Sequence, residues 1–216
     1  ALGVLVLIAL FVFVPTGTSD ERRNLRSELA WLRTGQVWLT LAVSVLGFGG
    51  VFGAFSYLAF TLDDATGLGQ GAITALLFLF GIGTFVGNLV GGSRWAGRLG
   101  DTFLIMVPAV VAVIMVAFAM LAGSVVAAAV GVFAMGAVGF ALTPGTQART
   151  LAHSDGAAFA SSANIAALNF GNWIGATVAG VTIDAGLGAT SPLMVGAGLS
   201  VLAAMVMAVA ARRVNS

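Results

Sequence analysis

Cysteine is absent from the 216 residues, which excludes disulfides and thiolate metal sites. Lysine is absent as well, so all nine positive charges are arginine. Charge of either sign is scarce: 8 % of residues are charged, against roughly 25 % in a soluble domain. A chain this poor in charge cannot cover a water-facing surface. The net charge is +1, so bulk electrostatics points to neither nucleic acid nor an acidic partner. Walker A, H-E-x-x-H and G-x-S-x-G are missing, and no carboxylate pair lies within an apolar run, which argues against a membrane enzyme. No residue set for a metal or an organic cofactor stands out. A channel subunit is disfavoured too, because neither a filter nor a charge ring is visible.

What the chain has in abundance is apolar and small residues. Hydrophobic residues make up 59 % and glycines number 30, and the mean hydropathy is +1.07. Glycine is common in membrane helices because it lets backbones approach closely. A span needs ~20 mostly apolar residues to cross ~30 Å of hydrocarbon. Six stretches qualify: 37–62, 72–92, 103–122, 125–144, 157–183 and 192–211. They do not alternate with period two, so a β-barrel is excluded, and lipid leaves helix as the remaining choice. The stretch 1–15 is apolar but short, with no basic region before it and no small-residue cleavage site after it. It is expected to be the end of a transmembrane helix whose beginning is missing, making the chain a fragment. The connection 16–36 is expected to be a cytoplasmic linker. It carries a Thr18/Glu21 capping box and a Leu25, Leu29, Leu32 stripe fitting a short surface helix; a solvated linker is the alternative. Residues 37–216 then form one six-helix unit.

The arginines are one-sided. Arg22, Arg23, Arg26 and Arg33 precede the first full span, and Arg94 and Arg98 follow the second. Arg149 follows the fourth, and Arg212 and Arg213 the sixth. Six crossings put all of them on one face. The opposite breaks hold Asp63, Asp64 and Asp184 and no arginine. This positive-inside pattern places the arginine loops and the C-terminus in the cytoplasm.

An internal repeat is visible. Gly87-Asn88-Leu89-Val90-Gly91 and Gly171-Asn172-Trp173-Ile174-Gly175 share G-N-x-x-G, 84 residues apart. Gly-Val-Phe recurs at 50–52 and 131–133, an offset of 81. Three helices repeated twice would invert the second copy, a design known in transporters. Gly83, Gly87 and Gly91 form a double G-x-x-x-G, and Gly49/Gly53 and Gly171/Gly175 repeat the spacing, all suited to close helix packing. Thr143-Pro144-Gly145 is a candidate break in the fourth span.

No Asp, Glu, Arg or His is expected well inside a span. Functional candidates are therefore neutral. Asn164 and Asn169 are expected to line an aqueous cavity. Asn88 and Asn172 sit in the glycine motifs and fit either interhelical hydrogen bonding or the cavity. Phe48, Phe52 and Phe55 recur at i, i+4, i+7 and suit either a cavity for apolar molecules or a lipid-facing surface. Tyr57 and Trp173 are further cavity candidates, Tyr57 alternatively an interfacial anchor. The lone His153 reads as a solvated loop residue.

Four stretches resemble a known family. SELAWLRTGQVWLTL with GFGGVFGAFSYLAF is similar to the start of the seventh helix of major facilitator transporters, and FVGNLVGGSRWAGRLGD to the eighth helix and its loop. GFALTPGTQARTL is similar to the end of the tenth, and SSANIAALNFGNWIGATVAG to the eleventh. The chain resembles the C-terminal half of the drug:proton antiporter branch, with its arabinose-efflux-type permeases and chloramphenicol exporters. The resemblance implies an all-α, six-helix half of two inverted three-helix repeats in a bacterial inner membrane. It further implies a missing N-terminal half as partner, and alternating-access, proton-coupled efflux of a small drug-like molecule. A sugar or metabolite exporter of this fold, or a non-transporting half, would look the same. The family loop motif G-x-L-A-D-R-x-G-R reads Gly92-Ser93-Arg94-Trp95-Ala96-Gly97-Arg98-Leu99-Gly100 here. Gly97 replaces its Asp, and Asp101 is the candidate substitute in a gating loop with Arg94 and Arg98.

Overall fold

The computed structural model describes residues 29–155 and 157–214. The stretch 1–15, the Thr18/Glu21 capping box and Leu25 therefore lie outside the described residues. A short 3-10 turn, Ala30–Arg33, precedes eight α-helices, and no strand occurs among the described residues. The helices are α1 (Gly35–Ser56), α2 (Leu58–Thr66), α3 (Gln70–Gly91), α4 (Arg94–Leu99), α5 (Asp101–Met120), α6 (Val125–Ala152), α7 (Ala158–Asp184) and α8 (Ser191–Val214). In the turn Ala30–Arg33 it is Trp31 that is buried, while Leu29 and Leu32 are exposed.

Local chemistry sets the boundaries. Ser93 caps α4 by accepting from the Ala96 amide at 3.2 Å, and Ser124 caps α6 by accepting from that of Ala127 at 3.4 Å. Gly67 ends α2 at φ +63°, a left-handed conformation that glycine adopts without strain. Pro192 stands in the first turn of α8, where a missing N–H costs nothing.

Two expected boundaries differ. The span read at 37–62 is two helices. At Tyr57 the backbone leaves helical geometry (φ −112°, ψ 10°), and the Thr61 hydroxyl ties α2 to the Ala189 carbonyl at 2.6 Å. The span read as ending at Pro144 continues to Ala152. Proline removes only its own donor, and side-chain bonds from Gln147 and Arg149 hold the following turns. Arg149 is thus not a loop residue: it is a buried arginine, 6 % exposed, in the last turns of α6.

Five of the six long helices are apolar enough by length and composition to cross a membrane. The sixth, α7, is 27 residues long but carries Ser161, Ser162, Asn164, Asn169 and Asn172, and it is not among the five. Its place is set by packing. α7 lies along α1, and α3 lies along α6. α1 and α6 touch at the centre, with α8 packed on α1 and α5, and α5 on α6. The second helix of each triplet therefore packs on the first helix of the other.

The contacts give the repeat its true register. Gly83 and Gly87 face the carbonyls of Phe133 and Ala137, while Gly171 and Gly175 face those of Val45 and Gly49. Every member of one set lies 88 residues from its counterpart. The triplets begin 90, 88 and 90 residues apart. The shared G-N-x-x-G at offset 84 is thus one helical turn out of register, because glycines spaced four apart match equally well when slid by four. Gly-Val-Phe, at offset 81, is two turns out.

These crossings admit no side chain. A Cβ added at Gly175 would overlap the Gly49 carbonyl, whereas one at Gly81 meets nothing within 4 Å. Gly175→Ala should therefore lower the thermal stability of the full-length protein in detergent by about 1–3 kcal/mol. Gly81→Ala should leave the melting curve unchanged.

Candidate functional site

The aromatic candidates converge. Phe48, Phe52 and Phe55 of α1 meet Phe140 of α6 and Phe80 of α3, two rings that helical spacing along α1 could not reveal. Ring centroids lie 4.6 Å apart for Phe48–Phe52, 5.4 Å for Phe48–Phe140 and 5.7 Å for Phe52–Phe140. Phe55 stacks on Phe80 at 4.3 Å, and Phe80 meets Phe140 edge-on at 6.1 Å. Phe80 is buried, while the other four rings are half-buried. The result is an uncharged aromatic wall built from three helices. It lies on the face of α1 away from Gly49 and Gly53, which pack on α7.

The polar candidates separate by helical phase. Asn164 shares the inner face of α7 with Leu168, Gly171 and Gly175, and is fully buried. Its Oδ1 accepts from Ser44 of α1 at 2.6 Å, and its Nδ2 donates to Gln147 of α6 at 2.8 Å. Asn169 is exposed on the other face and donates to its own helix at the Ile165 carbonyl, 2.9 Å away. Trp173 continues that face, 63 % exposed and stacked on Phe170 at 5.6 Å. Asn88 is exposed and donates to the Thr84 carbonyl at 3.0 Å, while Asn172 is half-buried. Tyr57 is half-buried with its hydroxyl over Gly180 of α7. The aromatic wall and the outer face of α7 belong to one half-bundle, with Trp173 stacked on Phe170 of its own helix and Asn169 bonded to its own backbone.

At the arginine end stands a network that sequence reading missed. Arg149 spends all five N–H groups. Nε and one terminal nitrogen hold Asp101 of α5 in a bidentate pair at 2.8 and 3.2 Å. The remaining donors reach the Gln36 side chain at 2.9 Å, the Gln36 carbonyl at 3.3 Å and the Thr40 hydroxyl. Gln36 in turn donates to the Ala210 carbonyl of α8 at 3.1 Å. Four helix ends thus converge on one guanidinium. Asp101 does enter a charge network, with Arg149 rather than with Arg94 or Arg98, which are exposed on α4. A cavity of ≈550 Å³ opens beside the pair, lined among others by Ser93, Phe103, Pro144 and His153. His153 is half-buried, and its Nδ1 lies 3.0 Å from the Arg149 carbonyl. The overlooked signal was Gln36, Thr40 and Ser44 at i, i+4, i+8: one polar stripe along an otherwise apolar helix.

The bundle of two inverted triplets, with helices long and apolar enough to cross a membrane, defines a multi-pass membrane protein of transporter architecture. The comparisons agree. The chain is 35 % identical over 216 residues to the inner membrane transport protein YdhP of Escherichia coli, covering 98 % of this chain and 54 % of that protein. It is 38 % identical over 189 residues to a chloramphenicol resistance protein of Streptomyces lividans (85 % and 47 %). It is 29 % identical over 208 residues to the uncharacterized MFS-type transporter YfhI of Bacillus subtilis (96 % and 52 %). No family model matches the chain. The chain belongs to the major facilitator superfamily, as the C-terminal half of such a transporter. It spans about half the length of each of these relatives, all named for transport or resistance rather than catalysis.

Breaking a buried ion pair from one side strands the other charge, at about 3–5 kcal/mol. Asp101 is 32 % exposed and shares the cavity with Arg149, so solvent screens part of this cost, and Asp101→Leu should destabilise the full-length protein by about 1–3 kcal/mol. Adding Arg149→Leu should recover about 1 kcal/mol or more in the same chemical-denaturation assay. Additive losses would mean that the two side chains are energetically independent.

Proposed function

We propose that the full-length protein is a proton-coupled exporter of small, neutral molecules bearing an aromatic ring, working by alternating access in a bacterial inner membrane. The observation that carries this is the uncharged wall of Phe48, Phe52, Phe55, Phe80 and Phe140. Offset and edge-on ring contacts favour flat π-systems by about 0.5–1.5 kcal/mol each beyond simple burial, and a wall without charge offers nothing to an ion. Asn169 and Trp173 on the outer face of α7 are proposed to contact substrate from the side, with Asn88 and Tyr57 at the margins. The name of the Streptomyces lividans relative, a chloramphenicol resistance protein, is in keeping with such cargo.

In this reading the arginine end faces the cytoplasm, since Arg33, Arg94, Arg98, Arg212 and Arg213 gather there with Arg149. The other half of the cavity and the proton-carrying side chain belong to the N-terminal six-helix partner half. The Asp101–Arg149 pair takes the place of the family's loop aspartate in the cytoplasmic gate.

Everted vesicles containing the full-length protein should take up neutral aromatic compounds when a proton gradient is imposed, and stop when it is collapsed. Phe52→Ala should weaken apparent affinity roughly two- to tenfold, the equivalent of one ring contact. Uptake indifferent to the gradient would refute proton coupling. Uptake of sugars with no response to Phe52→Ala would remove the aromatic wall from the cargo site.

A further inference from the structure

α6 and α7 are consecutive in the chain, yet each packs chiefly on another partner: α6 on α3, α7 on α1. Near the arginine end their direct link is polar. Gln147 accepts from Asn164 Nδ2 at 2.8 Å and donates to Ser161 Oγ. Asn164, wholly buried, accepts from Ser44 of α1 at 2.6 Å. Three helices meet on two amides and two hydroxyls, none of them charged.

The arrangement is asymmetric in what can let go. Arg149 holds the end of α6 to α1 and α5 with five bonds from a buried charge, all of which would have to be replaced together. The α7 side differs. The Ser44 hydroxyl has a single proton, yet the Thr40 carbonyl of its own helix stands 3.2 Å away as a second acceptor. When Asn164 leaves, Ser44 turns back onto its own helix and nothing on α1 is orphaned. The amides of Asn164 and Gln147 can take water in place of each other. On the inner face of α7 water would meet Asn164, with Ser161 at its edge, among alanine, leucine and glycine. Two turns further along, Gly171 and Gly175 press backbone to backbone on Val45 and Gly49. That contact is a fulcrum; the segment before it also packs Ala157 and Ala160 on Trp31, Val37 and Leu41, a mainly apolar seam between side chains rather than a backbone-to-backbone crossing.

We infer that Gln147, Asn164 and Ser44 form a releasable clasp holding the arginine end of α7 against α6 and α1, with Gln147 and Asn164 as positioning residues for the opening step. This rests on the transport reading above, but its readout needs no substrate.

The chain contains no cysteine, so single-cysteine reporters can be placed in the full-length protein after replacing any thiols in the other half. Leu168→Cys, on the inner face between clasp and fulcrum, reports opening by its rate of labelling with a membrane-impermeant maleimide. Ala179→Cys, wholly buried beyond the fulcrum, reports loss of the fold. Asn164→Leu and Gln147→Leu should each speed Leu168→Cys labelling roughly tenfold, two weak interhelical bonds being lost in each. Labelling of Ala179→Cys should not change. Unchanged labelling at both reporters would overturn the clasp, since the bonds would then hold nothing shut. Faster labelling at both would overturn it as well, because the residues would be holding up the whole bundle. The predicted split in a protein that exports none of the compounds tested would leave the clasp standing and remove the proposed cargo.

Discussion

Backbone-to-backbone contact through glycine is the constraint on which this half-bundle depends. Within a bilayer, apolar side chains gain little by turning from lipid to protein, so association relies on close van der Waals approach. α3 reaches α6 and α7 reaches α1 only because Gly83, Gly87, Gly171 and Gly175 carry no side chain. The 88-residue register makes these two contacts copies of one another. Each triplet supplies the glycine ridge for one crossing and the carbonyl groove for the other. The remaining long helices, α5 and α8, close the back of the central pair and present Met106, Val113, Met205 and Val209 outward.

Around that frame, charge in the interior is confined to one place where it has partners. The aromatic wall holds no charge, and the side-chain hydrogen bonds between helices collect mainly at the arginine end; the buried hydroxyls of Thr143, Thr150, Ser191 and Ser200 and the Trp31 indole N–H have no such partner. Arg149 illustrates why a single charge can survive there. Its five N–H groups all find oxygen, one carboxylate among them. The protein thereby gains a rigid corner joining α1, α5, α6 and, through Gln36, α8.

Much of this was legible in the sequence, and the exceptions have physical reasons. Length and apolarity located the long helices, and the arginine distribution assigned their ends to one side. The repeat was visible, but its register was ambiguous by one turn because G-x-x-x-G is itself periodic in four. Arg149 was misplaced because hydropathy counts an arginine as an end of membrane, whereas the helix counts only backbone bonds and continued past Pro144. Asn164 and Asn169 look alike in composition. Their helical phase separates them, since Asn164 runs with Leu168 and Gly171 while Asn169 runs with Ile165 and Trp173. Phe48, Phe52 and Phe55 were recognisable as a face, yet Phe80 and Phe140 join them only through tertiary packing.

The polarity of α7 has a consequence for its place in the chain. Three asparagines and two serines give α7 polar groups for which lipid offers no hydrogen-bond partner. Its glycine ridge fits α1, which is translated more than a hundred residues earlier, and its amide meets Gln147 on α6, the helix synthesised just before it. The folded packing thus gives α7 partners on helices that precede it in the chain. The groove and the hydrogen-bond partners there supply the solvation that the lipid withholds. The order of helices along the chain places this polar helix after the two that receive its ridge and its amide, so that its receptor site precedes it in the sequence.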